Sequence, residues 1–528
     1  MVPVLLAAWF LGSAAHLSPI TLKQVPTGER ILVDSLGRQR IFHGANVIVK
    51  GPPWLPSRSG FDYRTSLVTE DFTLMRQAGM NAIRLGVMWA AAEPVRGEYN
   101  ETYFAEVKSI INEAASHGIY TFVDMHQDVL SERFCGEGVP AWAASTHTGG
   151  PDPFIHFPEP ILPRFSTAWN GFPTRQECHR LTSKLGQSQA GYFTDAAMQG
   201  FQNLYSNFDG LADAWGLFWA KFAGLMKGHQ AVLGINIINE PFTGNVFHNP
   251  FRILPIIADK QLQRVYDIVV THIREVDEAR LIMFPGVPWA DLHSHFMRDG
   301  FTHAPGGEQY ANRSILSFHY YEPPQAKDSE YNYINHVVLP NARRLKTGIF
   351  LTETWGSAWR KSAPVAEANG ISWNYWEWKD FCVETPESLN STSQWAAFGS
   401  CKTGYGGQLF NESGIKPERH QELGRMYAYA IQGVLVTHAY DAESRNLTFS
   451  FNMDPAIGGP TEVYARPEWH GGASGSFTLL VEPKSALQAE VRPSERRILL
   501  KAQAGTNATL VTVSISPAAT AEPSLLVV

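Results

Sequence analysis

Beyond Leu11 the chain has no run of about 20 uninterrupted apolar residues, the length a helix needs to cross a bilayer. The mature protein is therefore not expected to be integral to a membrane. Basic residues are not in excess either: 43 Lys and Arg stand against 50 Asp and Glu, a net charge of −7. With no basic face in the sequence, nucleic acid is not an expected partner. Charged residues make up only 18% of the chain against 44% hydrophobic. That balance excludes a disordered chain and suits a large buried core. Cysteines number four, Cys135, Cys178, Cys382 and Cys401, and none forms a CxxC pair. Lacking ligand spacing and an accompanying histidine cluster, they do not read as a zinc site. No solenoid-type repeat or low-complexity tail is present, and nothing asks for a cofactor or an obligatory protein partner.

What is present points to export. Val2 to Leu11 is almost wholly apolar and Gly12-Ser13-Ala14-Ala15 offers small residues for cleavage, so residues 1–15 read as a signal peptide. Asn-x-Ser/Thr sequons occur at Asn100, Asn312, Asn390, Asn411, Asn446 and Asn507. In an oxidising compartment the four cysteines would form two disulfides, with three pairings open to them. The local pairing, Cys135–Cys178 and Cys382–Cys401, is the expectation, and four free buried thiols the alternative. A secreted protein fits these features, as does one delivered to a lysosome-like or digestive compartment.

Between residues 30 and 435, strand-like apolar runs alternate with amphipathic helical stretches. Eight strands are predicted: Arg40–Val49, Asn81–Val87, Ile119–Met125, Val232–Ile238, Leu281–Phe284, Ser314–His319, Gly348–Thr352 and Gly370–Trp376. Most are short and apolar on both faces, as buried parallel strands are. Helices are predicted over Thr102–His117, Thr69–Gly79 and Leu262–Val276. Eight such units fit an α/β fold, a (β/α)8 barrel over residues 16–435. An insertion at about 129–210, rich in Pro, Gly and Trp, follows the third strand and is expected at the active-site rim. Residues 436–528 alternate apolar and polar positions between Gly-rich breaks, which predicts a small C-terminal antiparallel β-sandwich.

Chemistry is expected where acids end barrel strands. Asn239-Glu240-Pro241 directly follows the apolar run from Val232, so Glu240 emerges at the top of the barrel. Glu353 closes the apolar strand from Gly348 and precedes a Gly-containing turn. Burying such an acid without partners is costly, so it is expected to face the cavity. Two carboxyls at strand ends are what retaining glycoside hydrolysis needs: one attacks the anomeric carbon, the other protonates the leaving oxygen and then activates water. Asn239 could hold a sugar 2-hydroxyl. Asp124, His126 and Asp128 share one face of an extended segment, but with no further ligand cluster they are not read as a metal site.

These residues resemble glycoside hydrolase family 5, in which the acid/base ends the fourth strand and the nucleophile the seventh. The resemblance implies Glu240 as acid/base and Glu353 as nucleophile. It also implies that Arg84 orients the nucleophile, and gives places in the site to His126, His319, Tyr321 and Trp376 after the third, sixth and eighth strands. The stretch from Asp124 to Trp142, with Gly44–Trp54 and Asn374-Tyr-Trp-Glu-Trp-Lys379, is similar to the endoglycoceramidases. That likeness implies a glycosphingolipid substrate, with Lys50 and Asp128 holding the first sugar and contact with a membrane or micelle surface. Competing expectations are a related glycolipid hydrolase acting on galactosylceramide-linked glycans, glucosylceramide or a sterol glucoside, and a family 5 polysaccharidase. A non-catalytic carbohydrate- or lipid-binding protein is the remaining one.

Overall fold

The computed structural model describes residues 17–146, 173, 178, 188–289, 300–381, 409–472, 475–518 and 526–527. Eight parallel strands close into a barrel in chain order: β1 (His43–Val47), β2 (Ala82–Gly86), β3 (Tyr120–Asp124), β4 (Val232–Asn236), β5 (Ile282–Pro285), β6 (Ser314–His319), β7 (Gly348–Thr354) and β8 (Ser372–Tyr375). All eight predicted strands are present. Every residue of β1 to β5 is buried, which explains why these strands read as continuous apolar runs and not as alternating ones.

The helices cover the outside. Glu101–Ser116 begins at Asn100, whose side chain accepts from Tyr103 N, and turns Phe104, Val107, Ile111 and Ala114 inward. The helix predicted from Leu262 starts earlier, at Pro255, where a proline costs no hydrogen bond in the first turn. Phe42, Tyr120, Phe122, Met283, Ile315 and Phe350 belong to the cluster that fills the N-terminal end of the barrel. Leu22 and Leu32, from a hairpin of Thr21–Gln24 and Arg30–Val33, close over that end. The opposite end, where the strands finish, is left for the site.

The sandwich differs from its expected bounds. Its larger sheet runs Thr21–Gln24, Arg30–Val33, Gln39–Arg40, Tyr427–Ile431, Thr461–Tyr464, Arg497–Ala502 and Leu487–Arg492. The domain thus starts ahead of residue 436 and takes in residues that the barrel was expected to hold from residue 16. The reason is pairing: Arg40 lies opposite Ala430, and Gln39 opposite Ile431. The smaller sheet contains Gly433–Asp441, Asn446–Met453, Thr509–Pro517, Phe477–Glu482 and Leu526–Val527. Between the sheets lies a core that includes Tyr427, Phe449, Phe451, Ile498 and Val513.

Of the insertion, residues 129–146 and 188–210 are described, with Pro173 and Cys178. Cys135 and Cys178 form a disulfide with Cα atoms 5.4 Å apart. Cys382, Cys401 and the expected signal peptide lie outside the described residues.

Candidate active site

The site is assembled at the C-terminal ends of the strands. Arg84, on β2, is wholly buried and touches four side chains. Its Nη1 donates to Glu353 Oε2 at 2.7 Å and to Asn46 Oδ1 at 3.0 Å. Its Nη2 donates to Asn239 Oδ1 at 2.7 Å and lies 3.0 Å from Asp124 Oδ1. One guanidinium therefore fixes a carboxylate on β7 and the amide that follows β4. Tyr321 donates its hydroxyl to the other Glu353 oxygen, Oε1, at 2.7 Å.

Glu240 sits across from Glu353. His319 Nδ1 lies 2.7 Å from Glu240 Oε1 and 3.7 Å from Glu353 Oε1. One donor atom from each of Glu240, His319 and Glu353 falls within 4.8 Å of the others. Carboxyl oxygens this close are compatible with the roughly 5–5.5 Å that retaining glycosidases keep between their carboxyl groups. Glu240 holds a left-handed backbone conformation, φ 31°, a strained state that costs on the order of 1–3 kcal/mol and is kept at sites that need a side chain aimed. Gln127 supports the turn by donating from Nε2 to the carbonyls of Asn239 and Glu240 at 2.8 and 3.1 Å.

Next to this pair lies a polar wall. Lys50 Nζ donates to Asp128 Oδ2 and lies 3.9 Å from Glu137 Oε1. Tyr192 donates its hydroxyl to Asp128 Oδ1 at 3.2 Å. His126 Nδ1 is 3.0 Å from Asp124 Oδ2, and His126 Nε2 is 3.6 Å from Asp128 Oδ2. Trp376 stacks on His126 with ring centroids 5.4 Å apart, and Lys50 Nζ lies 4.7 Å from the centre of the Trp376 ring. An indole face flanked by a cation and carboxylates suits a sugar, which offers C–H faces and hydroxyl edges.

Electrostatics keep Glu353 charged. Burial alone would push the Glu353 carboxyl up, but His319, Arg84, His126 and Lys50 hold it below the usual range, as a nucleophile requires. Burial likewise opposes the charged forms of Asp128 and Lys50. Their mutual attraction wins, moving the acid down and the amine up. Burial, then the charges of Glu353 and Glu240, keep Tyr321 far above the ordinary phenol value, so it remains a donor.

Glu240, His319 and Glu353 are also a donor set that a divalent cation could use. The Arg84 guanidinium already occupies one Glu353 oxygen, so an added cation would meet a fixed positive charge. Asp124 and Asp128 are engaged in the same way by Arg84 and Lys50.

On the side of Glu240 the surroundings turn apolar. Phe242, two residues on, packs against Phe193, Tyr192 and Trp289 at 5.6, 5.2 and 5.2 Å. A pocket opens beside Glu240 and His319, lined by Val287, Phe301, Phe318 and Val338 together with Asp259, Ser317 and Asn341.

Comparison with known proteins fits this geometry. The model of the cellulase family, glycosyl hydrolase family 5, matches residues 50–381, and the family 5 C-terminal domain matches residues 425–515. The chain belongs to glycoside hydrolase family 5. It is 36% identical to an endoglycoceramidase of Cyanea nozakii over 500 residues, 92% of each chain. It is also 36% identical to one of Hydra vulgaris over 474 residues, 89% of this chain and 86% of that one. In fold it is similar to endo-glycoceramidase II from Rhodococcus sp. in complex with ganglioside GM3. The TM-score there is 0.68, with 20% identity, 93% of this chain and 100% of that one. Like other family 5 members, it is a glycoside hydrolase.

Every site residue expected from the sequence, from Lys50 to Trp376, lies in this one region of the family 5 barrel. Several members went unread. Asn46 donates to the carbonyls of Thr352 and Tyr375 while accepting from Arg84. Asp124, which the sequence marks only by sharing a face with His126 and Asp128, is an anchor for Arg84 and His126. Gln127 and Tyr192 carry no signal in the sequence, since their partners come from distant segments.

Proposed function

We propose that this chain cleaves the β-glycosidic bond between oligosaccharide and ceramide in glycosphingolipids, by double displacement with retention. The observation that carries this reading is the close carboxyl pair with a polar, Trp-floored wall around Lys50 and an apolar surround at Glu240. Glu353 attacks the anomeric carbon. Glu240 gives its proton to the departing ceramide oxygen, leaving a glycosyl ester on Glu353. Glu240 then takes a proton from water, whose oxygen attacks the anomeric carbon and frees Glu353. Tyr321 and Arg84 hold the nucleophile, and Asn239, oriented by Arg84, binds the 2-hydroxyl. An apolar surround at the proton donor suits a leaving group that is a lipid and not a second sugar. The relatives in Cyanea nozakii and Hydra vulgaris carry the same activity in their names.

A fluorescent ganglioside assayed beside glucosylceramide, galactosylceramide-linked glycans, a sterol glucoside and soluble oligosaccharides tests the proposal. Intact oligosaccharide and free ceramide are expected from the ganglioside. Turnover confined to soluble oligosaccharides would refute the lipid.

The substrate implies work at a lipid surface. Phe251 and Ile253 are 67% and 42% exposed, and Phe193 is 45% exposed. Trp289, which packs on Phe242, donates to Ile253 O at 2.9 Å, so these apolar groups continue the surround of Glu240 outward. We assign this rim to peripheral contact with a membrane or micelle. Cosedimentation with ganglioside vesicles should fall when Phe251 and Ile253 are replaced by Ser. Secretion is part of the same proposal. The Cys135–Cys178 disulfide supports it, as do the exposed positions of Asn100, Asn312, Asn411, Asn446 and Asn507. Protein that stays in the cytoplasm, without glycans, would refute it.

A further inference from the structure

In the segment Asn374-Tyr-Trp-Glu-Trp-Lys379, the side chains of Asn374, Trp376, Trp378 and Lys379 each have a task. Asn374 Nδ2 donates to Ala45 O at 3.2 Å, and Trp376 carries the sugar-facing ring. Trp378 Nε1 donates to Asp71 Oδ1 at 3.1 Å, and Lys379 Nζ donates to Asp62 O and Ser66 O at 2.8 and 3.0 Å. The backbone on either side of Glu377 is clamped as well: Trp376 N donates to Thr354 O at 2.8 Å and Trp378 N to Asn46 O at 3.0 Å. Glu377, held between these anchors, is only 6% exposed. Its Oε2 is buried and has no hydrogen-bond partner among the described residues. A buried carboxyl oxygen left without a partner costs roughly 1–3 kcal/mol, so a ligand that supplies one is favoured there.

Its place says which ligand: Glu377 directly follows Trp376, and Lys50 Nζ lies 4.7 Å from the centre of that ring. The charges that reach it are those of Asp380, Lys50 and Glu353. Burial first, then Asp380 and Glu353, push its carboxyl well above the usual range against the opposing pull of Lys50. A neutral carboxyl carries one O–H donor and still accepts, which a carboxylate cannot do. Asp128, by contrast, stays ionised beside Lys50 and only accepts. A sugar hydroxyl both donates and accepts, so the pocket holds one acid suited to each direction.

We propose that Glu377 is a sugar-binding residue that hydrogen-bonds, through its carboxyl, a ring hydroxyl of the glycosyl unit seated against Trp376. It then discriminates among monosaccharides in the subsite next to the scissile bond. This inference rests on the glycosidase reading of the pocket but not on the lipid.

The test uses an aryl β-glucoside and its 3-, 4- and 6-deoxy analogues, which carry no ceramide. On the parent glycoside, Glu377→Ala should raise KM and lower kcat/KM about tenfold, the worth of one neutral hydrogen bond. Glu377→Gln, which keeps a donor and an acceptor, should retain most of the activity. The deciding measurement is the cross. In the unaltered enzyme, one deoxy analogue should lose about the same factor, and Glu377→Ala should lose nothing further on that analogue. Losses that multiply on every analogue would overturn the proposal, as would a Glu377→Ala enzyme with unchanged KM. Aryl glycoside turnover without ganglioside cleavage would refute the lipid while leaving this test intact. An unaltered enzyme inert toward both would sink the glycosidase reading and this inference together.

Discussion

Acidification should weaken the junction between barrel and sandwich. His43, which opens β1, is stacked between Trp373 and Tyr427 at 4.3 and 3.7 Å. His438 comes from the sandwich strand Gly433–Asp441. Both lie near Glu367, His43 Nε2 at 3.6 Å and His438 Nδ1 at 4.0 Å, and Arg425 grips Glu367 with two bonds of 2.7 and 2.8 Å. Neither ring nitrogen of His438 has a hydrogen-bond partner among the described residues. Burial drives His43 down to about 3 and His438 to about 4, although Glu367 pulls the other way. In the unfolded chain both titrate near 6.5. Between 6.5 and those folded values the unfolded state binds more protons, so stability is full above 6.5 and falls as pH drops. By pH 4 each histidine should have removed roughly 3 kcal/mol, about 6 together. Glu367, held at about 2 against an ordinary 4.5, adds a further loss below 4.5. Set against total stabilities of about 5–15 kcal/mol, this is a large share. Urea unfolding followed by tryptophan fluorescence at pH 7 and pH 4 gives the measurement. His438→Leu removes one titrating group, and should shrink the pH 7 to pH 4 difference by about half. Equal acid losses in the two proteins would refute the reasoning.

Glu353→Gln and Glu240→Gln should each lower kcat by at least about 1,000-fold with melting temperature little changed, since each removes a reacting group from an intact site. A Glu353→Gln enzyme with near-normal turnover on ganglioside would contradict the assignment. Arg84→Met should harm both activity and stability. It frees Glu353 and Asn239 and leaves Asp124 buried without its cation, a change worth about 3–5 kcal/mol in denaturant unfolding. An Arg84→Met protein that unfolds like the parent would show that Asp124 does not depend on this guanidinium.

Much of the catalytic geometry was legible in the sequence because it depends on local order. A short apolar strand that ends in an acid must present that acid at the barrel mouth, and Glu240 and Glu353 both follow this rule. His126 and Asp128, two and four residues beyond β3, were readable only through the resemblance to the endoglycoceramidases. What stayed hidden depends on distant pairing. The hairpin of Thr21–Gln24 and Arg30–Val33 is too short to show alternation, and its place is set by Leu22 and Leu32 meeting the barrel end. Arg40 was read as the start of the first barrel strand, but Gln39–Arg40 pairs with Tyr427–Ile431 before the chain enters β1. Glu377 looked like one more residue of a motif; only its burial without a partner marks it out.

That early strand pairing bears on how this chain can be cut and recombined. Residues 21–40 add three strands to a sheet whose other four come from beyond residue 426. A truncation before Tyr427 would strip those three of their neighbour and leave an open strand edge under the barrel, an invitation to aggregate. The C-terminal domain is therefore no detachable cassette: exchanging it between relatives would require moving the first forty residues with it. During synthesis, too, the first strands made must wait for nearly the last before their sheet is complete.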